Sequence, residues 1–163
     1  MHHCRFKIVL IAVLAAVMVV GRAATGEDRF VDNGDGTVTD LHTELMWAAT
    51  DNHGDINWQQ AVQWTRFTFS NTIPVHYDGW RLPTMAELKS LYRGEDDAYD
   101  GYETDCGQRV LITPAIRLTC GWIWAEDNAS VTATVFNFTR GIHYTERKVH
   151  SRAHRVLPVR NID

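Results

Sequence analysis

Residues 140–160 carry six cations (Arg140, Arg147, Lys148, Arg152, Arg155 and Arg160), three histidines and a single carboxylate, Glu146. A guanidinium offers donors in a fixed fork that matches the paired oxygens of sulfates and carboxylates. Arginine outnumbers lysine five to one in this stretch. The chemistry that fits is the holding of an anion, and the expected partner is an acidic glycan or polysaccharide. Arg140, Arg147, Lys148, Arg152 and Arg155 are therefore the candidate ligand-binding residues. A second reading is intramolecular, with these cations balancing the acidic stretch "GEDDAYDGYETDCG" at 94–107, which holds six carboxylates.

Other groupings point less directly to chemistry. His150 and His154 are four apart, but "KVHSRAHRV" lacks the apolar stripe of a helix that would bring them onto one face. Clustered carboxylates at 94–107 suit a solvated surface loop or calcium. "FVDNGDGTVTDL", at 30–41, resembles a calcium loop only at first sight. Counted from Asp32, the third and fifth positions are Gly34 and Gly36, which have no side-chain oxygen. The sequence holds no G-x-S-x-G, H-E-x-x-H or P-loop pattern. The expectation is a protein that is not an enzyme, with no cofactor and no assigned metal site.

Several elements must position these groups. Asn33-Gly34-Asp35-Gly36 supplies the positive-φ residues of a tight turn, so 30–31 and 37–41 should form a hairpin. In "INWQQAVQWTRF", Asn57 and Gln60 make a capping box, and Trp58, Ala61, Val62 and Thr65 share one helical face. "DGWRLPTMAELKSLY", at 78–92, has a second capping box at Thr84 and Glu87, with Leu88, Leu91 and Tyr92 as the apolar stripe. That helix should stop near Gly94. "TATVFNFTRG" alternates so that Thr134, Phe136 and Phe138 face one side, and "HRVLPVRN" reads as a terminal strand with Pro158 at an edge or bulge. The order of hairpin, helices, long loops and C-terminal antiparallel strands gives an α+β domain.

The first 23 residues have a basic start, an apolar run at 8–20 and a small-x-small site at Gly21-Arg22-Ala23. They read as a secretory signal peptide, too short in its apolar run for the roughly 20 residues of a bilayer span. Residues 24–163 then form a single domain with no transmembrane span. Loss of Arg5, Lys7 and Arg22 takes the formal charge from −4 to −7. An acidic, secreted chain disfavours nucleic acid as a partner. Cys106 and Cys120 remain as an even pair outside the cytoplasm and should form a disulfide. The expected location is secreted, periplasmic or cell-surface.

"RFVDNGDGTVTDLHTELMW", "INWQQAV", "DGWRLPTMAEL", "ITPAIRLTCGWIWAED" and "HRVLPVRN" follow one another in the order seen in the bacterial Lcl C-terminal domain family, which this chain resembles. The core phrase "GWRLPTMAEL" also resembles the formylglycine-generating, sulfatase-modifying enzymes. The resemblance implies a C-type-lectin-like fold and a secreted or surface-exposed binding domain associated with attachment to glycans. A structural subunit of a surface assembly, which a monomer that binds no glycan would favour, is one alternative, and an enzyme related to the formylglycine-generating fold is a lesser one. A homo-oligomer is a further partner the domain could have. Because both families share "WRLPT", Trp80 and Arg81 are expected to serve the fold rather than a ligand.

Overall fold

Local capping chemistry starts both helices where the spacing predicts. Asn57 Oδ1 accepts from the Gln60 N–H at 2.9 Å, while Gln60 Oε1 takes the Asn57 N–H, and α1 runs over Trp58–Gln63. Thr84 and Glu87 form the same reciprocal pair ahead of α2, Met85–Leu91. The structure, a computed structural model, describes residues 29–96 and 98–162. The expected leader lies outside the described residues. Among the described residues no helix is long and apolar enough to cross a membrane.

The expected hairpin forms as β1 (Phe30–Asp32) and β2 (Thr37–Asp40), with Gly34 at φ 72° and Gly36 at φ 86°. β2 pairs with β3 (Leu45–Ala48), and β3 pairs with β10 (Val159–Asn161), so the first antiparallel sheet has the order β1-β2-β3-β10 and joins the two ends of the domain. A second sheet has the order β8-β7-β6-β9, from β6 (Trp122–Trp124), β7 (Thr132–Asn137), β8 (Ile142–Arg147) and β9 (His154–Arg155). β4 (Tyr102–Glu103) and β5 (Arg109–Val110) form a small separate ladder. The fold is α+β.

Three details differ from the periodicity. Past Gln63, α1 widens into a π-helical turn over Trp64–Thr68. β7 is covered on both faces: Ala133 and Val135 join a core with Trp124 and Val156, while Phe136 and Phe138 join a larger one around Trp47, Leu88 and Ile112. "HRVLPVRN" is two short strands in two sheets rather than one, because 156–158 carries the chain from β9 across to β10.

The acidic stretch is pinned as well as solvated. Tyr99 Oη donates to Ile112 O at 2.6 Å, and Tyr102 Oη donates to Ile116 O at 2.9 Å. Burial pushes the Tyr102 phenol up to about 12, so it stays a neutral donor. Cys106 and Cys120 are bonded, with their Cα atoms 5.4 Å apart, tying the end of this stretch to the approach to β6. Among the described residues no three His, Cys, Asp or Glu side chains come together as a metal site.

Candidate anion-binding site

The fold divides the basic stretch. Lys148 is buried: its Nζ donates 2.6 Å to Ala129 O and sits 3.5 Å from the centre of the Trp58 ring. With the Trp58 N–H donating to Lys148 O, this fastens α1 to the loop before β7. Arg155 is also buried. Its Nε donates to Thr119 Oγ1 at 2.9 Å, and its Nη1 donates to Asp55 Oδ1 at 2.6 Å and His154 O at 3.1 Å. Arg160 is buried too, with Nε donating to Asp78 O at 2.8 Å. Arg140, Arg147 and Arg152 are exposed.

These three do not form one patch. The β7–β8 ladder pairs Asn137 with Ile142 and Thr132 with Arg147, so Arg140, in the turn, lies at one end and Arg147 at the other. At about 3.3 Å per residue, β8 alone separates them by roughly 17 Å. Arg152 lies beyond Arg147 in the connection to β9.

Arg140 faces a cation that sequence spacing did not reveal. A cavity of about 730 Å³ lies between the end of α2 and the β7–β8 turn, lined by Lys89, Tyr92, Arg93, Glu95, Asp96 and Arg140, with Phe136 at its base. The Tyr92 ring stands edge-on to Phe136 at 5.9 Å, which brings α2 against β7. Two glycines make room for that ring. A Cβ on Gly94 would fall 2.0 Å from Tyr92 Oη, and one on Gly141 would fall 2.3 Å from Tyr92 Cε1. Asn137 Oδ1 shapes the turn by accepting the N–H groups of Thr139 and Arg140.

Within the cavity the charges separate into committed and free. Arg93 pairs with Asp96 and lies 4.3 Å over the Tyr99 ring. The hydrogen bond from Arg93 holds the Asp96 carboxyl below its usual range. Neither the Lys89 ammonium nor the Arg140 guanidinium has a partner among the described residues. With Arg93 and Asp96 cancelling, among the described residues two free cations face one carboxylate, Glu95. A concave wall focuses such a field and favours a small anionic group.

The histidines take separate roles. His150 Nδ1 lies 2.6 Å from Glu146 Oε1 at the surface, whereas His154 is buried and stacked on Trp124 with ring centres 4.7 Å apart. Burial lowers the His154 pKa, and the Arg152 backbone, Glu146 and Asp55 only partly oppose it. The fold therefore holds the neutral ring. The resulting stability is complete above the ordinary imidazole value of about 6.5 and is lost as pH falls below it. Carboxylates such as Glu87, where burial is outweighed by bonds from Arg81 and Thr84, titrate at lower pH. Melting temperature is thus expected to fall between pH 7 and 5, and His154→Phe should flatten that fall. An unchanged slope in the variant would assign the effect elsewhere.

A model of the Lcl C-terminal domain family matches residues 36–160 of this chain. No curated protein matches it.

Proposed function

Since this chain belongs to the Lcl C-terminal domain family, we propose that it is a secreted or surface-exposed, non-enzymatic binding domain that recognises acidic polysaccharide in attachment. The observation that carries this reading is the cavity of about 730 Å³ in which Lys89 and Arg140 stand without internal partners. Sulfate or carboxylate groups on a sugar chain would enter between them, and the Tyr92 ring would support the adjoining ring. Arg147 and Arg152 would contribute outlying contacts to a long chain rather than form the site itself.

A C-type-lectin-like description agrees with joined terminal strands, two short helices and long connections. Cleavage of a signal peptide would place the domain outside the cytoplasm, where its disulfide is favoured. Single exposed charge contacts are weak, about 0–1 kcal/mol each. Display on an oligomer would raise avidity without new contacts.

Retention on immobilised dextran sulfate tests this. The protein is expected to bind at low salt and elute as ionic strength rises, whereas any retention on an equivalent column of uncharged dextran should not change with salt. Flow-through on dextran sulfate at low salt would refute the proposal.

A further inference from the structure

Trp64 is the first residue of the π-helical turn and forms a wall of two clefts at once. One, of about 490 Å³, lies against the β1–β2 turn and the loop after β3, with Phe69, Ile73 and Pro74 as its apolar side. The other, of about 510 Å³, runs along α1 past Gln59 and Gln63. π-turns are rare in helices and concentrate at functional sites. Here the turn opens on an indole placed between two openings.

The polar groups around this indole are free to bind. The Trp64 N–H has no partner among the described residues, and its nitrogen is not fully buried. Gln59 and Gln63 are exposed with free amides. His53 is exposed, its Nε2 2.9 Å from Thr50 Oγ1 and its other ring nitrogen unengaged. His53 is fixed at φ 57° by its N–H bond to Asp51 Oδ1, so the imidazole has a set direction.

The charge of the clefts decides the ligand class. Neither is lined by a lysine or an arginine, while Asp35, Asp51 and Asp55 border them. An acidic sugar would meet repulsion here, the reverse of the Arg140 cavity. An aromatic wall flanked by amides and an imidazole instead suits an uncharged ring with an apolar face and hydroxyls around its edge. We propose that the Trp64 clefts form a second binding site that takes neutral hexose units, separate from the anion site and independent of it.

Six indole N–H signals make the test direct, because Trp64→Phe identifies the resonance that belongs to this site. The protein would be titrated with maltohexaose, cellohexaose and chitohexaose at about 0.5 M salt, where attraction between surface charges is screened. At least one hexamer is expected to shift the Trp64 signal saturably. Gln63→Ala, which alters an exposed side chain only, and His53→Asn, which suits the same positive φ, should each weaken that binding about 2–10-fold with melting temperature unchanged, the effect of one lost hydrogen bond. The proposal is overturned if no hexamer moves the signal, if both variants bind as wild type does, or if only dextran sulfate moves it.

Discussion

Trp80→Ala is expected to lower the free energy of unfolding by about 3–5 kcal/mol, the range for truncating a buried tryptophan. Trp80 is 6% exposed and meets the edge of the Phe69 ring at 4.6 Å. Its neighbour extends the same structural role. The Arg81 N–H and C=O pair with the C=O and N–H of Val159, and the guanidinium grips both Glu87 oxygens at 2.7 and 2.8 Å. Glu87 caps α2, so "WRLPT" joins the start of that helix to the last strand. The phrase lies outside the Arg140 cavity. Trp80→Phe should cost much less, because the indole N–H is buried without a partner and phenylalanine removes that unmet donor. Denaturant unfolding of both variants measures the difference. Unchanged stability with lost polysaccharide retention would make "WRLPT" a binding site instead.

Asp51→Ala is expected to cost a similar amount, about 3–5 kcal/mol, as removal of one charge from a buried network. Asp51 is 1% exposed and accepts from the Thr119 N–H at 2.6 Å, the Thr119 hydroxyl at 2.9 Å and the His53 N–H at 2.8 Å. The Thr119 hydroxyl in turn accepts from Arg155, so one chain of bonds links the loop after β3 to β9. Loss of the carboxylate strands two Thr119 donors and frees the Thr119 hydroxyl that receives Arg155 Nε. Arg155→Gln should cost less, about 1.5–3 kcal/mol, because its other partner, Asp55, is half exposed and can take up water. Equilibrium unfolding should rank Asp51→Ala above Arg155→Gln, and the reverse order would contradict this wiring. Substitution of Arg155 is therefore a test of folding, not of ligand binding.

What the sequence made legible was local. The capping residues Asn57 and Gln60, or Thr84 and Glu87, act across three positions, so their spacing is sufficient to place a helix start. Gly34 and Gly36 mark a turn for the same reason, and of the three cysteines only Cys106 and Cys120 lie outside the expected leader, which leaves one bridge to expect. The site was much less legible because the fate of a cation depends on distant partners. Lys148 is buried by Trp58, ninety positions earlier, and Arg155 by Asp55 and Thr119. Nothing near either residue distinguishes it from exposed Arg147. Lys89 and Arg140 meet only because Tyr92 packs on Phe136, with Gly94 and Gly141 giving the ring room. The alternation in β7 did put Phe136 and Phe138 on one face, but it did not show that Ala133 and Val135 opposite are covered as well.

The affinity of two paired variants for dextran sulfate, measured across a range of salt, bears most directly on the anion site. Lys89→Gln with Arg140→Gln removes the free cations of the cavity, whereas Arg147→Gln with Arg152→Gln removes the same formal charge elsewhere on the surface. The first pair should weaken binding about tenfold and flatten its dependence on salt, as expected from losing two exposed charge contacts at up to about 1 kcal/mol each. The second pair should lose only a few-fold, with both proteins melting as wild type does. Equal losses in the two pairs, or wild-type affinity in Lys89→Gln with Arg140→Gln, would contradict the assignment of the cavity.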